Sequence, residues 1–251
     1  MMSDICLKLA DLTHRYDSRD SPADERIFFN GFSATLRYGA VIGILGLNGS
    51  GKSTLLNLLT LKIKPTYGHI RWNRAFFSKG GGGIIIEQGI APFLLPWLTG
   101  NMHRAMLDRS DLGPYIPECT DELLPFLTSL MHKPVFKLSG GERQTLALYL
   151  LFGLKWQVGI FDEPLSAIDG NRARTILVHL FAKHLREHPT KTVFMVSHRI
   201  DHLIYLCDEI WVLSSIGDII NVVPNPYHRT SGILLGELPE EFIGHLQTQM
   251  L

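Results

Sequence analysis

The sequence predicts an α/β fold built on a largely parallel sheet, and three observations carry that expectation. Short apolar strands alternate with helical stretches from Gln157 onward, which is the pattern of a parallel sheet covered by helices on both faces. A glycine-rich loop joins the apolar run Val41–Leu45 to a helical run over Ser53–Leu61. Hydrophobic residues make up 45% and charged residues 19%, so a chain of 251 residues can bury a sizeable core and has no composition of disorder.

The elements are expected in the following order. Ile5–Leu12 reads as a strand, followed by a polar insert over Asp17–Arg26. Ile27–Leu36 and Val41–Leu45 are strands, with Tyr38-Gly39 as the turn between them. The helix over Ser53–Leu61 closes at Pro65 and Gly68. His69–Trp72 and Ile84–Glu87 are short strands, and Lys79–Gly83 between them is a hairpin tip. From about Pro92 to Lys155 the pattern turns helical and is punctuated by prolines, so a helical subdomain is inserted there. Strands then fall at Val158–Phe161, Thr192–Val196 and Glu209–Leu213, with helices near Asn171–Glu187 and Ile200–Cys207. The tail from about Asn221 to Leu251 holds two turns and a short amphipathic end, and the whole of 1–251 reads as one domain.

Bulk properties exclude several classes. Lys plus Arg and Asp plus Glu are both 24, so no net charge draws the chain to a polyanion and no nucleic acid is expected as a partner. Cys6, Cys119 and Cys207 are scattered and form no Cys-x-x-Cys pair, which suits free thiols in a reducing compartment better than a zinc site or disulfide frame. Met1–Ile5 lacks the basic and apolar regions of a secretory leader, and no run reaches the ~20 apolar residues of a spanning helix.

Two motifs carry chemistry. Gly46-Leu47-Asn48-Gly49-Ser50-Gly51-Lys52-Ser53-Thr54 fits G-x-x-x-x-G-K-[ST] between a strand and a helix. Its glycines let backbone N–H groups curl round phosphates, and the helix N-terminus adds a positive dipole end. Lys52 can reach the β and γ oxygens, and the Ser53 hydroxyl can ligate Mg²⁺, so ATP and Mg²⁺ are the expected cofactors. The second motif is Val158–Phe161 followed by Asp162-Glu163-Pro164. Asp162 would face Mg²⁺ as a Walker B aspartate does, and Glu163 could polarise an attacking water. Alone, such acids are as often an ordinary solvated strand end; beside a phosphate loop they read as part of one site.

Leu138-Ser139-Gly140-Gly141-Glu142-Arg143-Gln144 resembles the signature motif of the ATP-binding cassette (ABC) ATPases, and the other marks of that family follow in order. Gln88 resembles the Q-loop glutamine, Ser166-Ala167-Ile168-Asp169 the D-loop, and His198, behind Val196-Ser197, the switch histidine. Tyr16 stands where the family has its adenine-stacking aromatic. The chain departs from the family pattern near Tyr149-Leu150-Leu151 and at Trp156, where a proline is usual, and no catalytic residue is lost.

The resemblance implies a P-loop NTPase fold with a parallel core sheet, an antiparallel β subdomain and an inserted helical subdomain. It implies two cassettes arranged head to tail with one nucleotide between them. Ser139, Gly140 and Gly141 would then grip the γ-phosphate held by the opposite subunit, and Asp169 would lie across the seam. His198 would bond the γ-phosphate and orient Glu163, while Gln88 would touch Mg²⁺ and the water.

Leu94-Leu95-Pro96-Trp97-Leu98-Thr99 followed by Asn101 looks like importer ATPases of the nitrate, sulfonate and taurine type. This apolar stretch would either receive a short helix of a membrane subunit or build the helical subdomain's own core. The implied partners are a second cassette in a homodimer, transmembrane permease subunits and an extracytoplasmic solute-binding protein. The implied location is the cytoplasmic face of the cell membrane. An ABC exporter or lipid-trafficking ATPase, or a soluble non-transport ABC ATPase, stands as the alternative.

Overall fold

The computed structural model describes residues 5–16, 26–73, 85–86, 94–108, 122–228 and 239–251. Gln88, Cys119, most of the Asp17–Arg26 insert, the glycine run and Pro92-Phe93 lie outside them. Two sheets organise the described chain. The smaller is antiparallel, ordered β2-β1-β4, from β1 (Ile5–Tyr16), β2 (Arg26–Arg37) and β4 (Tyr67–Trp72).

The larger sheet runs β5-β6-β7-β3-β8-β9. Its strands are β3 (Val41–Leu45), β5 (Ile85–Ile86), β6 (Val158–Asp162), β7 (Thr192–Val196), β8 (Glu209–Leu213) and β9 (Ile220–Pro224). All neighbours pair parallel except β8 and β9. The mixed α/β architecture expected from the alternating pattern is therefore present, with β9 as an antiparallel edge. In the sequence this start of the tail reads as turns. Asn221 and Pro224 flank only two valines, Val222 and Val223, which leaves little periodicity, and pairing with β8 settles the conformation.

The central strands β3, β6, β7 and β8 of the large sheet are nearly continuous apolar runs because both faces are covered. Along β7, Val193 and Met195 enter one core while Phe194 and Val196 enter the other. Along β8 the split is Ile210 and Val212 against Trp211 and Leu213. One core is shared with the antiparallel sheet and α1 (Lys52–Leu59), through Leu7, Leu9, Phe29, Leu55 and Leu58. The other is shared with α3 (Leu124–Met131), α4 (Gly140–Phe152), α5 (Gly170–Ile176), α7 (Ile200–Leu206) and Leu246 of α8 (Glu240–Gln249).

The helix expected over Asn171–Glu187 forms as α5, a π-helical stretch at Leu177–Ala182, and α6 (Lys183–Glu187). The proline-punctuated region contains α2 (Gly100–Leu107), whose N-cap Thr99 accepts from the Met102 N–H, together with α3 and α4. Trp156, in the place of a proline, is 1% exposed and packs on Phe152, Phe161 and His184. Among the described residues no helix is long and apolar enough to cross a membrane, and Cys6 and Cys207 are buried free thiols.

Candidate active site

Strand register builds the site. Ile44 of β3 and Asp162 of β6 both lie opposite Val196 of β7, so three neighbouring parallel strands end level with one another. The residues that follow each strand meet there, at the carboxyl edge where open α/β sheets bind ligands. Asn48, Gly49, Gly51, Lys52, Ser53 and Thr54 from the loop after β3, Asp162 and Glu163 from β6, and His198 after β7 line one cleft of about 310 Å³, together with Phe28.

The phosphate loop needs its glycines. Gly51 is the N-cap of α1 at φ 93°, a left-handed conformation that disfavours any side chain. A Cβ there would stand 2.5 Å from the Phe28 ring. Ser50 is fully buried beneath the loop, and a Cβ on Gly46 would stand 2.5 Å from its hydroxyl. Lys52 donates from Nζ to the Gly46 and Leu47 carbonyls, both at 2.8 Å, which folds its ammonium over the loop. Burial lowers the Lys52 pKa, and the Glu163 and Asp162 carboxylates oppose that by favouring its charge.

Glu163 Oε1 lies 3.4 Å from His198 Nε2. Burial raises the Glu163 pKa above the ordinary carboxylate value, His198 pulls it back down, and the neighbouring Asp162 raises it further. A carboxylate held in this way is a better proton acceptor than a solvated one. Glu163 also sits at φ 53°, rare for a residue with a side chain.

Tyr16 is beside the cleft without lining it. Its hydroxyl is 3.3 Å from the Thr54 hydroxyl and its ring meets Phe28 edge-on at 5.9 Å, with 46% of its surface exposed. An open aromatic face next to the first turn of α1 can stack a planar base. Phe28 is the lining residue that the sequence reading missed. Within Ile27-Phe28-Phe29 it carries no mark beyond an apolar strand, and only its approach to Gly51 and to Gly217 brings it to the loop.

Ser139, Gly140, Gly141 and Asp169 do not line this cleft. Ser139 caps α4 in a capping box: its hydroxyl accepts from the Glu142 N–H at 3.2 Å, and Glu142 Oε2 accepts from the Ser139 N–H at 2.8 Å. That bond holds the Glu142 pKa below the usual value. Ser139 and Gly140 are exposed. Asp169, also exposed, caps α5 by accepting from the Arg172 N–H at 3.1 Å. Gln88 lies outside the described residues.

The family model described as ABC transporter matches residues 29–166. The translation initiation factor rli1 of Schizosaccharomyces pombe is 30% identical over 92% of this chain, which spans 41% of that relative's length. The bicarbonate transport ATP-binding protein CmpD of Synechococcus elongatus is 28% identical, over 84% of this chain and 79% of the relative. The nitrate import ATP-binding protein NrtD of the same organism is 26% identical, over 83% and 78%. Among solved structures, cbiO1 of Clostridium perfringens, part of the transporter complex cbiONQ, superposes with a TM-score of 0.66 at 24% identity, covering 98% of this chain and 100% of that one. At that identity the likeness speaks for the P-loop NTPase fold.

Proposed function

This chain belongs to the ABC transporter family, and from that premise we propose that it powers the movement of a solute across a membrane by hydrolysing ATP, working with separate permease subunits as an importer of the nitrate, sulfonate and taurine type. Its standing as an ATP-binding ATPase follows from the family. The observation that carries the ATP-hydrolysis part of this reading is the meeting of Lys52, Ser53, Asp162, Glu163 and His198 in one cleft. The resemblance to CmpD and NrtD supports the importer type.

In this reading the N–H groups of Asn48 to Thr54 and the Lys52 ammonium hold the phosphates, with Gly46 and Ser50 shaping the loop from behind. Tyr16 stacks the adenine. Glu163 takes a proton from the attacking water, and His198 orients that carboxylate and bonds the γ-phosphate. By its resemblance to the Q-loop glutamine, Gln88 would contact the water. Catalysis is then positioning and charge stabilisation, with little covalent work for the protein.

Mg²⁺ fits the donors present. The Ser53 hydroxyl and the Asp162 carboxylate are hard oxygen ligands lining the same cleft. Among the described residues no cluster of three or more His, Cys, Asp or Glu side chains forms a closed metal cage. That donor set suits an ion held by one or two protein oxygens plus phosphates, with Gln88 as a further ligand. When bound, Mg²⁺ neutralises charge on the β and γ oxygens.

Ser139, Gly140 and Gly141 at the start of α4, with Asp169, would complete the site of a second copy of the chain. That they do not line the chain's own cleft, and that Ser139, Gly140 and Asp169 are exposed, supports a head-to-tail homodimer. Residues 1–251 then form one ATPase unit, with a helical subdomain at about 92–155 and a short tail at about 221–251. Trp97 and Phe136 are 68% and 62% exposed, and the Phe136 N–H donates to the Pro96 carbonyl at 2.8 Å, which brings the two apolar stretches together. This supports docking of a short permease helix there; the cytoplasmic face of the membrane and an extracytoplasmic solute-binding protein on the far side follow from the importer reading alone. Purification from the native membrane tests the reading: a permease chain should co-purify and stimulate ATP turnover on reconstitution. Its absence, with turnover indifferent to membranes, would sink it. The relation to rli1 favours a non-transport ATPase as the second reading, and recovery of translation components in the same purification would support that one.

A further inference from the structure

We propose that Gln144 is a positioning residue for Glu163, tying the loop that carries the general base to the helix that starts at Ser139. Gln144 uses both ends of its amide. Its Nε2 donates to the Glu163 carbonyl at 3.2 Å, and its Oε1 accepts from the Ala167 N–H at 3.2 Å. The same Glu163 carbonyl accepts from the Ser166 hydroxyl at 2.9 Å and the Ser166 N–H at 3.2 Å. On its other side the Glu163 N–H donates to the Val196 carbonyl at 3.0 Å.

These bonds have something to hold. Glu163 stands at φ 53°, a conformation that persists only where the surroundings over-determine it. The peptide orientation at that residue sets where the carboxylate points, and His198 is 3.4 Å from it. One turn earlier on α4, Gly141 approaches the same loop so closely that a Cβ would stand 2.7 Å from the Ala167 carbonyl oxygen. Residues three apart share a helix face, so Gly141 and Gln144 form one contact between α4 and the loop 163–167. A shift of α4 is therefore felt at Glu163. This rests on the reading above, in which Glu163 is the base and the N-terminus of α4 meets the nucleotide of the partner subunit. Occupancy of one site would then align the base of the other.

Steady-state and single-turnover ATPase assays on the full chain test the coupling. Gln144→Met keeps length and apolar stem while removing both bonds. Gln144→Glu keeps the acceptor for Ala167 and removes the donor to Glu163. Both variants should lower kcat at least tenfold with KM for ATP within twofold of the parent. Their loss should not multiply with that of Glu163→Gln: the residual single-turnover rates of Glu163→Gln and of the double variant with Gln144→Met should agree within twofold. Melting temperatures identify a variant that fails by unfolding, and Gln144→Glu then decides. An unchanged kcat, a loss expressed in KM, or losses that multiply would overturn the coupling while leaving the base assignment in place. Normal turnover in Glu163→Gln would instead remove the base assignment, and the coupling with it.

Discussion

The Glu163 carboxylate faces the His198 imidazole across 3.4 Å, although the two residues follow different strands. Pairing of Asp162 with Val196 at the ends of β6 and β7 produces the juxtaposition. It sets a partly buried acid, with its pKa raised, beside an imidazole able both to restrain that acid and to hydrogen-bond a phosphate oxygen.

Glu163→Gln should bind ATP as the parent does and lose turnover by about 100-fold or more, the usual contribution of a positioned general base. Removing the base without removing the phosphate contacts should also let an ATP-bound dimer accumulate. ATPase assays and size-exclusion chromatography with ATP read both effects. A variant that turns over at the parental rate refutes the assignment.

Lys52→Ala removes the only ammonium among the described residues lining the cleft, and with it the charge-assisted bonds it would make to the phosphates. Charge-assisted bonds contribute about 1.5–3 kcal/mol each, so ATP affinity should drop at least ~10-fold. Fluorescent-nucleotide titration measures it, and an unchanged dissociation constant would mean that the loop is misread.

Trp156→Ala should destabilise the fold by about 3–5 kcal/mol. The indole is 1% exposed, donates from Nε1 to the Leu151 carbonyl at 3.1 Å, and carries the Lys191 ammonium 4.1 Å above its ring. Denaturant unfolding checks the loss, and a change below ~1 kcal/mol would show that the cluster collapses to fill the space.

Stability should fall on mild acidification. Burial lowers the His202 pKa from 6.5 to about 4, with Arg199 and Arg174 adding to the effect and Asp201 opposing it; burial and the neighbouring Lys191 and His188 take His184 to about 2. Both folded-state values lie below the unfolded one, so the unfolded chain binds the extra protons. The stabilisation is whole above pH 6.5 and is lost as the pH falls, through about 4 for His202 and continuing towards about 2 for His184. The His202 share is at most about 3 kcal/mol. Urea midpoints recorded from pH 7 to pH 4 should decline, and His202→Gln should flatten the decline. A flat parental profile would contradict the prediction.

Much of the site was legible before any coordinates. The phosphate loop, the acids after β6 and His198, which line one cleft, each lie in a short contiguous run whose chemistry is written locally. The large-sheet strands β3, β6, β7 and β8 were legible too, because burial on both faces leaves unbroken apolar runs. Phe28 was not, since an aromatic residue in a strand looks the same whether it faces a core or a nucleotide loop. Gln144 stood inside the signature stretch without a role, because its partners, Glu163 and Ala167, are remote in the chain. β9 was missed for a related reason: its pairing with β8, more than its own pattern, makes it a strand.

The sequence by itself determined the family, the ATPase chemistry and the alternation of elements, because spacing within a loop and periodicity within a helix or strand are short-range properties. Tertiary structure alone decided the strand order β6-β7-β3, which brings three separate loops to one edge of the sheet. It also decided that Ser139 and Asp169 do not line the cleft at that edge, and that Gln144 joins α4 to the loop after Glu163. These are contacts between residues far apart in the chain. They are selected by how both faces of one sheet are buried at once, and no local pattern records that choice.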